Sequence, residues 1–229
     1  LSPTVVLGEN FYMQEEHMER GMYYLIPRND LTLNQAAPQS YVRGPLEDWI
    51  DGALEFDGSN RFAILTHAEM TADMTYPGGR RRRGGEGEEP NVFPGAKRRT
   101  LDMGTNNFLA EVYFKTQKDH KGGTIAGKGA GAGYSLVIDG DGAIALQLRG
   151  GDTNVALAGG KVNDGEWHHV VAEADRGAQR MVLYVDGRKA AESALDLSPA
   201  VSISNTDDFL VGKSADGSFF QGAVDFLRV

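Results

Sequence analysis

Apolar residues from about Ala53 to the C-terminus occur in short runs that nearly alternate with polar residues. Alternation of this kind places every second side chain on the same face, which is typical of half-buried β-strands. Clusters of Gly, Asp and Asn separate the runs at spacings typical of antiparallel sheets. The pattern predicts strands near Ala53–Phe56, Phe62–Leu65, Phe108–Lys115, Thr124–Gly127, Tyr134–Ile138, Ala143–Leu148, Trp167–Ala174, Arg180–Val185, Arg188–Ser193, Phe209–Val211 and Phe219–Val229.

Two Asp- and Gly-containing segments between these runs have the composition of tight hairpin turns. They are Asp139-Gly140-Asp141-Gly142 and Asp186-Gly187. Gly and Asp tolerate the positive φ angles that such turns require. Strand number and turns together predict a β-sandwich, and the alternation assigns these residues to its core: Trp167, Phe56, Phe108, Leu136, Leu146, Leu183 and Phe226.

Two segments depart from the strand pattern. Residues 1–52 contain a short helical pattern over Asn10–Arg20 and an apolar strand pattern over Met22–Ile26. This segment has too few periodic apolar positions to fold alone, so we expect an N-terminal arm that lies along a sandwich formed by residues 53–229. Residues 66–104 form an insertion between two strands that is far longer than an ordinary loop, which indicates a functional, disordered or partner-held segment.

Composition excludes several classes of chemistry. The formal net charge of −9 disfavours nucleic acid, because an acidic surface repels phosphate groups. The absence of cysteine removes disulfides, thiolate zinc sites and cysteine nucleophiles. No apolar run approaches the roughly 20 residues that a membrane-spanning helix needs. The first residue is Leu rather than Met, which is typical of a processed or excised product.

Four ordered motifs in the C-terminal part of the chain resemble those of one known family. They are DGEWHHV at 164–170, LYVDG at 183–187, FLVG at 209–212 and GAVDFLRV at 222–229. The stretches ALEFDGSN at 53–60 and NFLAEVYFK at 107–115 are similar to the opening strands of the same family. This is the laminin-G-like, concanavalin A-like domain family, and the resemblance covers residues 53–229 apart from the insertion. It implies an all-β, two-sheet antiparallel jelly-roll sandwich.

The resemblance also implies a calcium site. In many relatives a single ion ties the first long strand to the last, and the matching positions here are Asp57, Gly58 and Asp225. Hard oxygen ligands of this type suit Ca²⁺. The alternative is that Asp225 caps a turn or pairs with an arginine. No cofactor other than calcium is expected.

The residues argue against catalysis. Relatives of this fold that cleave β-glucans carry two glutamates and an aspartate at alternating positions of one strand, and no such set occurs here. Glu111, alone on its strand, and Glu173 with Asp175 do not complete it. We therefore expect no enzymatic activity, and hydrolysis of a glucan remains the less favoured alternative.

Binding residues are harder to assign from sequence. His168 and His169 are neighbours on a predicted strand, so they point to opposite faces and cannot chelate one metal ion together. Tyr113, Tyr184, His168 and Arg149 are candidates for a concave ligand-binding surface, because sugars stack on exposed rings. Sequence does not establish which sheet each of them occupies.

The insertion supplies candidates for docking to another protein. It carries a basic tract, Arg80, Arg81, Arg82 and Arg83, and a second basic group, Lys97, Arg98 and Arg99. Arginine forms bidentate pairs with carboxylates, so this group suits an acidic partner surface. A solvated charge run is the alternative interpretation.

Three function classes follow. The first is a non-catalytic binding module, recognising a glycan or a protein within a larger extracytoplasmic protein or complex. The second is a structural subunit that docks through the arm and the basic insertion. The third is a glycan-cleaving enzyme of the glucanase type. The resemblance places the protein in the periplasm, on the cell surface or in secreted form, with a protein or glycan partner, and it does not supply the ligand.

Overall fold

The computed structural model describes residues 31–35, 40–45, 52–71, 73–76, 91–97 and 101–229. Within these ranges the chain consists mainly of β-strands, with one short helix at His67–Thr71. The strands, numbered along the chain, are β1 (Thr32–Leu33), β2 (Tyr41–Val42), β3 (Ala53–Asp57), β4 (Ala63–Leu65), β5 (Asp73–Tyr76), β6 (Asn91–Lys97), β7 (Phe108–Thr116), β8 (Gly123–Lys128), β9 (Gly133–Ile138), β10 (Ala143–Gly150), β11 (Thr153–Lys161), β12 (Trp167–Asp175), β13 (Arg180–Val185), β14 (Arg188–Ala194), β15 (Phe209–Val211) and β16 (Gln221–Arg228).

Two antiparallel sheets of seven strands form the body of the protein. Sheet A has the spatial order β1-β4-β15-β8-β9-β10-β11, and sheet B has the order β14-β13-β12-β7-β16-β3-β2. Apolar side chains from both sheets meet in one hydrophobic core. Phe56 and Phe114 of sheet B and Phe209 of sheet A are among the largest fully buried side chains. The predicted all-β, two-sheet jelly-roll sandwich is confirmed.

Each strand predicted from the alternation has a counterpart whose ends lie within two residues of the predicted ends. The Asp186-Gly187 turn joins β13 to β14, with φ angles of 51° and 74° at its two residues. Two successive positive φ angles define the type I′ hairpin turn, whose twist matches that of the flanking strands. The Asp139 carboxylate accepts the N–H groups of Asp141 and Ala143, which closes the turn between β9 and β10.

β11 was not predicted from the sequence, because its residues Thr153–Lys161 are rich in Ala and Gly, which favour strands weakly. Among the described strands it pairs with β10 alone, so it lies at the edge of sheet A. A side-chain carbon at Gly159 would lie 2.7 Å from Cβ of Ala191 in β14 of sheet B. Small residues here therefore let the edges of the two sheets approach each other.

Two residues of the predicted core do not lie in it. Trp167 is half-buried on the outer side of β12, and its neighbour His168 points inward instead. Phe226 is half-buried because β16 has a register shift between Val224 and Phe226, so that Leu227 takes the inward position. A bulge of this kind inserts one unpaired residue and reverses the alternation beyond it. Among the other predicted core residues, Phe56, Leu136, Leu146 and Leu183 are buried, and Phe108 packs against the core while partly exposed.

The described parts of the N-terminal arm add one edge strand to each sheet, β1 to sheet A and β2 to sheet B. The predicted helix and strand over residues 10–26 lie outside the described residues. The insertion begins with the helix His67–Thr71, which the sequence Thr66-His67-Ala68-Glu69 caps. Thr66 accepts the N–H of Glu69, and the Glu69 carboxylate accepts the N–H of Thr66. β5 and β6 then pair as a separate two-stranded sheet.

Candidate functional site

The outer face of sheet A has a cleft of about 360 Å³ over its central strands. Its floor is one row across three strands, because Gly127 of β8 pairs with Ser135 of β9, which pairs with Gln147 of β10. A side-chain carbon at Gly127 would lie 2.9 Å from Cβ of Ser135, so the absence of a side chain there keeps the floor low. We call this depression the sheet A cleft.

Arg149 stands at one end of the sheet A cleft. The alternation of β10 buries Leu148 in the core and directs Arg149 to the outer face. Its Nη1 donates to the carbonyl of Ala130 at 3.2 Å, and its Nη2 donates to Oε1 of Gln147 at 3.4 Å. In the described part of the chain Arg149 forms no ion pair, so most of its donor capacity faces the cleft.

The rim beside Arg149 is fixed by a buried lysine. Lys128 is only 1% exposed, and its Nζ donates to both the carbonyl and the Oδ1 of Asn205, each at 2.8 Å. Burial lowers the pKa of Lys128. Close by, the Asp207 carboxylate accepts the N–H of Ala130 at 2.8 Å. Lys128 thus holds the 205–208 segment against the glycine-rich 129–133 loop.

The loop from Lys213 to Phe219 contributes to the opposite wall of the sheet A cleft. Within it Asp216 Oδ1 accepts hydrogen bonds from the Ser214 hydroxyl and the Ser218 N–H. These hydrogen bonds lower the pKa of Asp216, with a small contribution from the charge of Arg149. Asp216 and Arg149 both line the cleft, and they form no ion pair within 4.0 Å in the described part of the chain.

The outer face of sheet B is different, because rings rather than small residues lie across its centre. Register places Phe226 of β16 beside Tyr113 of β7, and Tyr113 beside His169 of β12. We call these three residues the aromatic row. The Tyr113 and His169 rings are nearly parallel, with centroids 4.3 Å apart and an interplanar angle of 14°. Since this separation is close to the strand spacing of about 4.8 Å, the two rings stand side by side and each covers one face of the other.

Charged groups anchor the aromatic row. His169 Nε2 donates to Oε1 of Glu111 at 2.8 Å. The other oxygen of Glu111 pairs with Arg228 of β16. The backbone N–H of His169 also donates to the Asp186 carboxylate at 2.9 Å. These contacts hold His169 in place, so the row is a rigid part of sheet B.

His168 lies on the inner side of β12 and joins two of the motifs found in the sequence. Its Nδ1 is 2.9 Å from Asp186 Oδ2, and its Nε2 is 3.0 Å from Asp164 Oδ1. Carboxylates only accept, so both ring nitrogens donate and the imidazole carries a positive charge. Burial opposes this charge, but the two carboxylates outweigh burial and raise the pKa of His168. His168 is a structural clamp, which agrees with the expectation that the two histidines point to opposite faces.

The predicted calcium ligands do not come together. Asp57 pairs with Gln221 across β3 and β16, and Asp225 lies four residues further along β16. At about 3.3 Å per residue this separation is about 13 Å, too far for one ion. Asp57 Oδ1 accepts the N–H groups of Ser59, Asn60 and Arg61, and although burial opposes it, these bonds hold the pKa of Asp57 well below its usual value.

Asp225 lies in a different environment at the bulge of β16. It is 5% exposed, and its carboxylate packs against Gly44, where an added side-chain carbon would collide with it. The described residues contain no group of three or more His, Cys, Asp or Glu that could hold a metal ion. Calcium binding at Asp57, Gly58 and Asp225 stays a prediction, which a change in Tm on adding EDTA would test.

The four residues predicted to bind a ligand occupy three different surfaces. Arg149 lines the sheet A cleft. Tyr113 and Tyr184 lie on the outer face of sheet B, where both side chains are half-buried, and His168 points inward. Of the basic residues assigned to docking, Lys97 ends β6, and Arg80, Arg81, Arg82, Arg83, Arg98 and Arg99 lie outside the described residues.

Sequence reasoning did not find Gln147, Asp216 or Lys128 as parts of a site. Gln147 could have been predicted, because it is two residues before Arg149 on the same strand and must lie on the same face. Asp216 and Lys128 gave no comparable signal. Lys128 lies two strands from Arg149 in sheet A, and Asp216 reaches the cleft because β15 pairs with β8, in which Phe209 faces Lys128 across a long stretch of sequence.

Comparisons with known proteins agree with this architecture. Residues 94–229, more than half of the chain, match the model of the concanavalin A-like lectin/glucanases superfamily. Among solved structures, domain 4 of AbnA, an extracellular arabinanase from Geobacillus stearothermophilus in complex with arabinotriose, is 15% identical with a TM-score of 0.53. That similarity covers 86% of this chain and 80% of the other.

A second solved structure is domains LG4-5 of the mouse laminin α1 chain, which are 18% identical with a TM-score of 0.50. The similarity covers 78% of this chain and 42% of that one. No curated protein sequence matches the chain. The structural similarities establish the fold, and the family match extends from β6 through every later strand. The chain therefore belongs to the concanavalin A-like lectin/glucanase superfamily.

Proposed function

We propose that the protein is a non-catalytic module that binds a glycan in the sheet A cleft. The observation that carries the proposal is the placement of Arg149 and Asp216 around a low floor of Gly127, Ser135 and Gln147. Sugar hydroxyls both donate and accept hydrogen bonds, and this cleft offers a guanidinium donor, a carboxylate acceptor, an amide and a hydroxyl. A concave surface with a few convergent polar groups is the usual form of a small-molecule site.

The aromatic row is a weaker candidate for sugar binding, although aromatic rings are common sugar contacts. A sugar ring packs on the face of an aromatic ring. Tyr113 and His169 each cover a face of the other, so the pair presents mainly ring edges to the outside. The proposal therefore assigns the glycan to sheet A and gives the aromatic row a structural role.

The carboxylates of the cleft favour binding over hydrolysis. Glycoside hydrolysis needs two carboxyl groups on either side of the bond, one of them with a raised pKa so that it donates a proton. The pKa of Asp216 is lowered. Asp208 accepts the N–H of His67, and Asp139 closes the β9–β10 turn. Glu111 and Glu173, the acids considered from sequence, lie on β7 and β12 of sheet B.

The setting that suits such a module is outside the cytoplasm, as part of a larger protein or complex. AbnA, whose domain 4 shares the fold, is itself an extracellular enzyme. In the described part of the chain, no helix combines the length and hydropathy needed to cross a membrane. Location in the periplasm, on the cell surface or in the medium is thus a proposal that rests on the family.

A glycan array followed by isothermal titration calorimetry tests the proposed function. We expect one class of oligosaccharide to bind the wild-type chain, and Arg149→Met to weaken that binding. An Arg188→Met variant is a matched control, because Arg188 is an exposed arginine in β14 of the other sheet. Failure of every saccharide to bind, or equal loss in both variants, would contradict the proposal.

One observation supports a second function, docking to another protein. β5 and β6 pair only with each other among the described strands, so the insertion carries a hairpin outside the two sheets. In sequence the tract Arg80 to Arg83 falls between these two strands. Replacing these four arginines with serine should leave Tm unchanged and weaken assembly more at low salt than at high salt. Normal assembly of the substituted chain would reject the docking function.

A further inference from the structure

The sheet A cleft has balanced charge. The residues that line it include three cationic ones, Lys128, Arg149 and Lys213, and three acidic ones, Asp139, Asp208 and Asp216, and the side chain of Lys128 is itself buried. The chain as a whole carries a formal charge of −9. The chain is acidic, and its cleft carries no net positive charge that would offset this. Long-range electrostatic attraction therefore does not favour an anionic ligand.

Most of these charges are committed to the protein itself. Lys128 donates to Asn205. The Nζ of Lys213 lies over two rings, 4.6 Å from the centroid of Phe62 and 5.4 Å from that of Phe219. Asp208 and Asp139 accept backbone N–H groups. Asp216 is exposed, whereas Asp139 and Asp208 are half-buried, so Arg149 and Asp216 are the charged groups that we expect a ligand to contact.

The geometry of these two residues suits a bridging ligand. Asp216 uses one carboxylate oxygen, Oδ1, for Ser214 and Ser218. Within the described residues, Oδ2 accepts no hydrogen bond. Among the described residues, Arg149 donates only to Ala130, at 3.2 Å, and to Gln147, at 3.4 Å. The guanidinium and the carboxylate face the same cleft, and their separation exceeds ion-pair distance.

We propose that the sheet A cleft selects a neutral saccharide, whose adjacent hydroxyl groups bridge Arg149 and Asp216. The proposal rests on the glycan-binding function and specifies its ligand class. Arginine only donates hydrogen bonds and an ionised aspartate only accepts them, while a hydroxyl does both. A pair of adjacent hydroxyls satisfies both residues at once. A carboxylate or sulfate on the sugar satisfies Arg149 and is repelled by Asp216.

The floor of the cleft restricts the ligand further. Its central residues are Gly127, Ser135 and Gln147. Among the described residues that line the cleft, Tyr134 is the only aromatic one; it is 5% exposed and donates its hydroxyl to the carbonyl of Leu101. The described floor therefore offers a sugar no open ring face to stack on. Recognition is therefore through hydroxyl groups, and it is sensitive to their placement.

Calorimetry with two soluble panels tests this selection. The neutral panel consists of arabino-, xylo- and gluco-oligosaccharides, and the acidic panel consists of oligogalacturonides of the same lengths. We expect a neutral saccharide to bind at least about tenfold more tightly than any acidic one, which corresponds to about 1.4 kcal/mol. Tighter binding of the acidic panel would overturn the selection while leaving glycan binding intact. Absence of binding by both panels would overturn the glycan-binding function, and the selection with it.

Asp216→Asn sharpens the test. The amide keeps an oxygen that accepts the Ser218 N–H, and it removes the negative charge from the cleft. We expect neutral ligands to bind about tenfold more weakly and the difference between the panels to shrink. Asp152→Asn is the matched control, since Asp152 is exposed in the β10–β11 turn and does not line the cleft. An unchanged ratio between the panels in Asp216→Asn would contradict the role of Asp216.

Discussion

The outer faces of sheets A and B have the same antiparallel strand arrangement, but one is a cleft and the other is covered by aromatic rings. Across the centre of sheet A the row is Gly127, Ser135 and Gln147, and a cleft opens above it. Across the centre of sheet B the row is Phe226, Tyr113 and His169, and the rings of Tyr113 and His169 stack side by side. The difference comes from side-chain size at outward positions, since the strand spacing is the same in both sheets.

The comparison shows how one fold separates binding from support. Small outward residues leave donors and acceptors at the bottom of a depression, where a ligand can reach them. Large outward residues cover the sheet and stabilise its strands through cross-strand contacts. The β-bulge at Asp225 contributes to this covering of sheet B, because it turns Phe226 outward beside Tyr113.

The largest effect is expected from Arg149→Met, which removes the guanidinium from the cleft and keeps an unbranched stem. Loss of hydrogen bonds from a charged group costs about 1.5–3 kcal/mol, so affinity for the bound saccharide should fall by about tenfold to a hundredfold. Stability should hardly change, because Arg149 donates only two hydrogen bonds, at 3.2 and 3.4 Å, in the part of the protein that the structure describes. Calorimetry and thermal melting measure the two quantities separately. A lower Tm with unchanged affinity would contradict this prediction, because it would give Arg149 a structural role rather than a role in binding.

A smaller effect is expected from the His168 clamp of sheet B. His168→Gln loses the charge that bridges Asp164 and Asp186, and the free energy of unfolding should fall by roughly 1–2 kcal/mol, since both carboxylates are about half exposed. Because the folded protein raises the pKa of His168, this stabilisation is complete below the unfolded value of about 6.5. It is lost as the pH rises through the folded pKa.

Urea unfolding of the wild type and of His168→Gln between pH 6 and pH 9 tests the clamp. The difference between the two unfolding free energies should be largest at the acidic end and should shrink as the pH rises. Saccharide affinity should be the same in both proteins at pH 6, since His168 lies on the inner side of sheet B. A difference that grows with pH would show that His168 is neutral in the folded protein.

The smallest effect is expected from Tyr113→Leu in the aromatic row. This change removes the stack on His169, and aromatic pairs contribute about 0.5–1.5 kcal/mol beyond their buried area. The free energy of unfolding should therefore fall by about 1 kcal/mol, with no change in saccharide affinity. Tyr184→Leu is the matched control, because Tyr184 lies on the same face and has no ring contact among the described residues. Loss of saccharide binding in Tyr113→Leu would move the site to sheet B.

The sequence predicts the sandwich well because alternation and turn chemistry are local. Strands such as β7, β10 and β12 follow directly from their period of two, and Asp186-Gly187 forms the predicted turn. Where local signals are weak the prediction is wrong. β11 was missed because Ala and Gly favour strands weakly, and Phe226 was placed inside because a bulge leaves no mark in the apolar pattern.

The site was predicted in part only. Arg149 was named from sequence and lines the cleft, but Tyr113, Tyr184 and His168 lie on other surfaces. Which sheet a strand joins depends on long-range pairing, and Asp216 reaches the cleft through the pairing of β15 with β8. The calcium set also depends on long-range pairing, because the register of β3 with β16 decides that Asp57 and Asp225 lie about 13 Å apart.

An NMR titration tests most directly whether the sheet A cleft is the binding site. Backbone amide shifts would be followed as the tightest-binding saccharide of the array is added to ¹⁵N-labelled protein. The account predicts shifts at Gly127, Ser135, Gln147, Arg149 and the 213–218 loop, with Tyr113, His169 and Phe226 unchanged. Shifts that cluster on the aromatic row and spare the cleft would contradict it.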